Sequence, residues 1–424
     1  MQSLTARARE MDPALKLQAR GAPAGAMIAG ASEEVEIRRH EGCDALLALR
    51  PTLAAGGFLP APLAGMDPEF LTAGFEGKTP GAMVAYAAGR PVGYMTYALL
   101  RTEFRPQFGG LGIGRFPCRQ LRLFGYAGHG HAPAVILEGF CRGLLENTPW
   151  HVGQIFELPM ENPLAEYITG APFGSGESYS LASSVYETFQ VGIAESFETY
   201  LKNQFTKKTR YNLKREVRLL EDSAPGEVTL RVYHAPDQVS DFFRDSASVA
   251  SRCYKWQGGP NPMEPTPFDL KKFSFLAERG RWRSYVLFIR DVPVAFCDAT
   301  MRWGELYVEL VGHDARYIKL NPGKVLLYKI FEDLHECRIV KQLNLGTGTA
   351  EYRRVFATSS RRVVDVNLYR NELYPQLLRM IAATAAVSYR QLNPLIRRCA
   401  PPIKRILRRR GAIAPSVFAY LVAG

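Results

Sequence analysis

The stretch Gly304–Glu336, GELYVELVGHDARYIKLNPGKVLLYKIFEDLHE, decides how the rest of the chain is read. Leu306, Val308 and Leu310 alternate with Tyr307, Glu309 and Val311, the period of a pleated strand. After a short loop, Asn321 and Pro322 suit the cap and first turn of a helix, where proline has no N–H to lose. Leu327, Phe331 and Leu334 then recur at helical spacing and leave Glu332, Asp333 and Glu336 for solvent. Pro322-Gly323-Lys324 opens that helix. A glycine there lets a ligand approach the main chain, and the free N–H groups, the helix dipole and Lys324 together suit a phosphate group. An ordinary capped helix whose glycine eases the turn is the plainer reading of the same residues.

The order strand, strand, strand, helix, strand occurs twice. Met83–Leu99 reads as two strands joined by a turn at Gly89-Arg90-Pro91, followed by a strand over Gln120–Tyr126, a helix opened by Pro133 and a strand over Val152–Leu158. About 190–200 residues later the pattern returns: Ser284–Met301 as a strand pair, the strand quoted above, the helix at Pro322 and a closing strand over Lys341–Leu345. Pro91 lines up with Pro293 and Pro133 with Pro322. The copies differ at the helix start, where Ala132-Pro133-Ala134 stands against Asn321-Pro322-Gly323-Lys324. The first lacks both the glycine and the cation of a phosphate cradle, so a cofactor is expected in the second.

The 424 residues carry a formal charge of +12, which favours anionic partners: phosphorylated cofactors, acidic lipid or nucleic acid. Seven cysteines show no paired spacing and no metal-ligand pattern with histidine, as expected of thiols in a reducing cytoplasm. His129 and His131 lack a third ligand nearby, so no metal is expected. No secretory signal is evident, and no run approaches the roughly 18 apolar residues that span a bilayer.

Between the copies, Glu195–Asp222 reads as one long helix with Leu201, Phe205, Leu213, Val217 and Leu220 on its apolar side and a crowd of cations elsewhere. Val228–Tyr233 is expected as a strand, and Asp237–Tyr254 and Phe268–Arg279 as helices around a proline-rich loop. Beyond Pro394, Arg397, Arg398, Lys404, Arg405 and Arg408–Arg410 interleave with Ile396, Ile403, Ile406 and Leu407. That mixture suits a segment lying on an anionic membrane surface, or a charged extension in solvent.

Three segments, KKTRYNLKRE, VGHDARYIKLNPG and LNLGTGTAEYRRVF, in this order and spacing resemble the CelD-like and FemAB-like branch of the GNAT acyltransferase superfamily. The resembled pattern is K-T-R-x-N-x-R-R, then Y-D…S-P-G before a helix, then G-x-G-D-x-x-Y-K-x-x-F. Here His313-Asp314 replaces Tyr-Asp, Asn321 replaces serine, Thr349 stands for aspartate and Arg353 for lysine. The resemblance covers roughly Leu181 to Leu373, nearly half the chain. It implies an α/β fold of mixed sheet, with two tandem GNAT-like acyl-CoA N-acyltransferase domains, the first degenerate, and a basic C-terminal tail. The expected organisation is an arm over 1–34, the degenerate domain over 35–180, the acyl-CoA-binding domain over 181–372 and the tail over 373–424.

The resemblance further implies acyl-CoA as co-substrate, its pyrophosphate on the N–H groups of Gly323, Lys324 and Val325 beside Asn321 and Pro322. The resembled motifs offer Lys208, Arg210, Asn212, Arg215 and Glu351 as substrate-binding positions. Acyl transfer to an amine requires a base, stabilisation of the thioester oxygen and an acid for the thiolate. Glu309, mid-strand among apolar neighbours, is the candidate base, with His313 and Asp314 at the strand's end. Tyr352 resembles the position from which superfamily members protonate the thiolate. The competing structural roles are an ion pair of Glu309 with Arg302, a loop hydrogen bond for His313 and a core position for Tyr352.

The expected function is N-acylation of an amine, either a lipid such as a sphingoid base or an amino sugar of the cell envelope, in the cytoplasm or peripherally on the inner face of the membrane. Two rivals stand beside it. One is an aminoacyl-tRNA-dependent transferase of FemAB type; the other is a non-catalytic scaffold in polysaccharide biosynthesis.

Overall fold

A computed structural model describes residues 14–16, 35–73, 78–108, 111–129, 133–146, 148–170, 179–194, 196–256, 260–347 and 351–410. The first copy contains β1 (Val35–Glu41), α1 (Cys43–Ala55), α2 (Pro68–Ala73), β2 (Lys78–Ala87), β3 (Arg90–Phe104), β4 (Phe116–Gly128), α3 (Pro133–Cys141), β5 (Val152–Pro159), α4 (Pro163–Thr169) and β6 (Tyr179–Gly192). Two helices follow, α5 (Phe197–Gln204) and α6 (Lys207–Ser223). The second copy contains β7 (Val228–Tyr233), α7 (Val239–Arg252), α8 (Pro267–Glu278), β8 (Ser284–Ile289), β9 (Val292–Arg302), β10 (Glu305–His313), α9 (Pro322–Cys337), β11 (Gln342–Asn344), α10 (Glu351–Phe356) and β12 (Ser359–Arg370). A helix, α11 (Leu373–Arg410), closes the described chain.

The fold is α/β, with one mixed sheet in which a short strand, Ala14–Lys16, pairs with the outer edge of β1. The order inward is β1-β2-β3-β4-β5-β12-β6-β11-β10-β9-β8-β7, which reads as a palindrome if β12 is matched with β6. In each copy an antiparallel meander ends in a parallel pair spanned by a helix: β4 with β5 over α3, β10 with β11 over α9. The sixth strands cross over. β12 of the second copy pairs with β5 of the first, and β6 of the first pairs with β11 of the second. The two lie antiparallel at the centre, from Tyr179 opposite Arg370 to Gln190 opposite Ser359. The expected border at residue 180 therefore falls inside β6.

Both copies carry the same irregularities. Thr96 faces Gly125 and Tyr97 faces Leu123, so Phe124 bulges from β4; Asp298 faces Leu310 and Ala299 faces Val308, so Glu309 bulges from β10. A second shift follows each aligned proline, leaving Val92 and Val294 as the extra residues. Repetition of order, crossover and bulge makes two copies of one unit a structural finding.

The bulge at Glu309 also corrects the strict alternation read for this strand. Leu306 and Val308 enter the core beneath α9, as expected. One extra residue then reverses the faces, so Leu310 packs with Phe296 under α7 and α8 while Val311 returns to the α9 side. Another difference lies before β7. The single helix expected over Glu195–Asp222 is two, because Phe205 and Thr206 turn extended and the Thr206 hydroxyl caps the next helix through Thr209 N–H at 3.3 Å. The turn between β2 and β3 is Ala88-Gly89, both at positive φ, one residue ahead of the expected position.

Candidate acyl-transfer site

The parallel ladder between β10 and β11 holds two residue pairs, Leu306 with Leu343 and Tyr307 with Asn344. Past Asn344 the chain follows β6 instead, Leu345 N–H donating to the Phe189 carbonyl at 2.7 Å, while β10 runs on through the bulge to His313. The two strands thus part at Glu309. Arg353 donates to the Leu345 carbonyl at 2.9 Å on one side of this opening, and Lys255 to the Val311 carbonyl at 3.2 Å on the other.

Past His313 a short helix, Ala315–Leu320, leads into α9. Asn321 sits at its junction in the left-handed region, φ 49°, a conformation asparagine tolerates. Its side chain makes no cap bond. Instead its carbonyl accepts from Lys324 N–H at 3.0 Å and Val325 N–H at 3.1 Å. Two of the three amides expected to face a pyrophosphate are thereby engaged, and Gly323 N–H is the one these bonds leave over. A Cβ on Gly323 would stand 3.3 Å from His313 Nδ1, so the imidazole lies over the glycine. The side chain of Lys324 reaches Glu216 at 3.0 Å.

Helices α6 and α9 run parallel, shown by two ion pairs in step: Glu216 with Lys324, and Glu221 with Lys329, each at 3.0 Å. The first two turns of α6 therefore extend past the start of α9, and they carry Lys208, Asn212 and Arg215. Lys208 and Arg215 are exposed and Asn212 is half-buried. Arg210 is occupied locally, donating to the Phe205 carbonyl at 2.7 Å, which closes the end of α5. The side chain of Glu351 and all of Thr349 lie outside the described residues.

His313 is held below its ordinary value, first by burial and then by the charge of Lys255, so the ring is neutral at pH 7. Asp314 is fully buried. Burial alone would raise it, but hydrogen bonds from Arg316 and Arg252 outweigh burial and hold it below the usual carboxylate range. With Arg252 at 2.5 Å, Arg316 at 2.7 Å and the Arg316 N–H at 2.9 Å, its oxygens anchor the loop. Tyr352 packs against the α9 core, and burial raises its phenol, which stays protonated at neutral pH.

Glu309 points to the opposite face of the sheet, into a cavity of about 390 Å³ between the two copies. There Arg302 bridges two carboxylates, Glu157 of β5 at 2.6 Å and Glu309 at 2.5 Å, and the Thr300 hydroxyl donates to Glu309 at 2.5 Å. The Tyr307 hydroxyl donates to Glu157 at 2.8 Å. Beside this group Arg361 of β12 meets Glu305 at 2.7 Å, and Gln190 and Asn344 donate to the same carboxylate. Behind Glu309, Asp298 is buried and bonded by Ser284 at 3.0 Å; burial, then Glu309, pushes it up to about 7.

The candidates of the sequence thus form two groups. Gly323, Lys324, Val325 and His313 lie at the start of α9 and Tyr352 packs against the core beneath that helix, whereas Glu309 lies across the sheet, joined by Arg302. Sequence reasoning missed Glu157, Arg361, Glu305 and Asn344. The available signal was a polar residue within each of several short apolar strands, and long-range partners carry no local pattern. His129 stacks on Phe58 at 4.5 Å, and His131 lies outside the described residues. Among the described residues no group of three or more His, Cys, Asp or Glu has metal-holding geometry.

Residues 207–354 match the model of the Acetyltransferase (GNAT) domain, a span that runs from α6 through α10. No protein with a curated description matches the chain. Solved structures show distant likeness. FemX is 9% identical over 71% of this chain and 90% of its own, with a TM-score of 0.47. L-PGS from Bacillus licheniformis is 14% identical over 79% and 96%, with a TM-score of 0.45. A tandem GNAT protein from the clavulanic acid biosynthesis pathway is 12% identical over 78% and 98%, with a TM-score of 0.44.

Proposed function

We propose that this chain is an N-acyltransferase that moves an acyl group from acyl-CoA to an amine. The observation that carries the reading is the parting of β10 and β11 at the Glu309 bulge, with the start of α9 at one end and the cavity on the far face. A thioester lying in that opening would have its phosphates at α9 and its acyl carbon facing the cavity. The match of residues 207–354 to a GNAT domain supports the same reading.

In this scheme Gly323 N–H, the α9 dipole and the exposed cations Lys208 and Arg215 hold the pyrophosphate. Lys324 joins them if it leaves Glu216. Asn212 and the neutral His313 line the approach, while Asp314 orients the loop through Arg252 and Arg316 rather than reacting. Glu309 receives the proton of the amine, directly or through water, and Arg302 holds its carboxylate in place. Tyr352, protonated at neutral pH, gives a proton to the departing thiolate.

The acceptor is an amine of the cell envelope, a lipid amine such as a sphingoid base or an amino sugar. The apolar and basic sequence of α11 after Leu392 would rest on an anionic membrane surface from the cytoplasmic side, as a peripheral contact. Among the described residues no helix is long and apolar enough to cross a membrane.

The test is calorimetric binding of CoA thioesters of graded chain length, with thiol release followed for candidate amines. Submillimolar binding with release supports the reading. Salt-sensitive tRNA binding without CoA binding would replace it with the aminoacyl-tRNA transferase. A folded protein that binds neither would be the scaffold.

A further inference from the structure

One corner of the cavity is basic, and its Lys272 reaches the carboxylate network through the field it exerts on Asp298. Arg122 enters it from β4, its guanidinium 4.3 Å over the ring of Phe156. Lys272 enters from α8, one turn beyond Phe268, so both project from the same side of that helix. Lys78, at the start of β2, lies 5.7 Å over the Phe268 ring and within the field of Arg122. These contacts bring residues of both copies to one place.

Among the described residues, neither Arg122 nor Lys272 has a carboxylate within ion-pairing distance. Asp365 acts on Arg122 only at longer range, and its Oδ1 accepts from Glu157 N–H and Tyr186 hydroxyl, both at 2.7 Å. Burial, opposed by Asp365 and reinforced by Arg302, lowers Arg122. A half-buried cation without a counter-ion costs free energy that a bound anion would return. Across the same cavity the charges are already matched, Glu157 and Glu309 on Arg302 and Glu305 on Arg361.

We propose that the molecule taken up by this cavity is an amine that also bears an oxyanion, a phosphate or carboxylate seated on Arg122 and Lys272 with its amine directed to Glu309. The inference rests on the acyltransferase reading for the amine and on the cavity alone for the anion. It separates the two acceptor classes above. A sphingoid base has no anion for this corner, whereas a phosphorylated amino sugar, or an amino acid, has one. The aromatic walls at Phe156 and Phe268 suit the apolar face of a sugar ring.

The experiment compares matched probes by calorimetry on the full chain: glucosamine, glucosamine 1-phosphate, inorganic phosphate, glycine and sphinganine. The expected result is at least about tenfold tighter binding of the phosphorylated than of the plain amino sugar, falling to near parity in Arg122→Gln and in Lys272→Gln. Arg122→Lys, which keeps the charge, should retain most of the preference. Preference for glycine over glucosamine with no gain from phosphate would identify a carboxylate as the anion and uphold the site. Equal binding of both sugars with no preference for glycine, tighter binding of sphinganine, or a preference unchanged in both glutamine variants would overturn it. Binding of a CoA thioester is measured in the same variants. If it persists while the anion preference is missing, this inference alone fails; if the preference is present but CoA does not bind, the acyltransferase reading fails instead.

Discussion

Replacing Arg302 with glutamine removes a cation that touches carboxylates from both copies. Its guanidinium gives one nitrogen to Glu157 at 2.6 Å and the other to Glu309 at 2.5 Å, and it stacks 4.5 Å from the Tyr307 ring. Breaking a fully buried pair costs about 3–5 kcal/mol because a charge is left uncompensated, whereas an exposed pair is worth less than about 1 kcal/mol. The three side chains retain 32%, 26% and 24% of their exposure, so water recovers part of that cost. The expected loss is about 2–3 kcal/mol, read as a lower urea midpoint at unchanged slope by tryptophan fluorescence. Adding Glu309→Gln to Arg302→Gln should restore about 1 kcal/mol, because one of the two stranded carboxylates goes. A loss below about 0.5 kcal/mol, or a double variant that is simply the sum of its singles, would refute the bridge as a tie between copies.

Gly323→Ala should leave stability within about 0.5 kcal/mol, since alanine favours a helix and His313 need yield only a few tenths of an ångström, while CoA affinity falls several-fold by calorimetry. Tyr352→Phe should lower kcat by about 10–100-fold with thioester affinity unchanged, measured by thiol release. Asp298 gives a pH signature. Its folded value near 7 lies above the unfolded one near 4, so the folded state holds its proton more tightly; that stability is fully present below about pH 4 and is lost as pH rises to 7. Asp298→Asn should therefore flatten the fall in melting temperature between pH 5 and pH 8, an effect of about 3 kcal/mol over that window; an unchanged slope would show that Asp298 is ionised in the folded protein. Flotation with anionic vesicles should be lost when Lys404, Arg405 and Arg408–Arg410 become glutamine, and retention would exclude the tail as the contact.

Much of the fold was legible because its signals are local. Val228–Tyr233 emerges with the expected bounds, and the prolines at 133 and 322 open helices as expected. The bulge at Glu309 was not legible, since a bulge is defined by the partner strand and reads in sequence as unbroken alternation. The break at Phe205-Thr206 was overlooked although Thr206 is a good cap, because apolar spacing continues across it. At the site, the glycine of α9 announces itself through residue type. Glu157 does not, as its pairing with Arg302 spans the two copies and no nearby pattern encodes it.

The exchange of sixth strands explains why the first copy persists without its own phosphate cradle. β6 is flanked by β12 and β11, and β12 by β5 and β6, so each central strand takes its ladder hydrogen bonds on both edges from the other copy. A second copy cut away before residue 181 would keep nearly all of β6 on one side of β12 but leave the other β12 edge bare where β5 had been, a long unpaired row exposed to other chains. It would also lose Glu157 and Arg122, and with them half of the cavity. The bulge shared by both copies makes the division of labour visible. The same backbone irregularity presents Glu309 in one copy and Phe124 in the other, so one half directs a carboxylate into the cavity while its counterpart supplies an apolar wall to the same space.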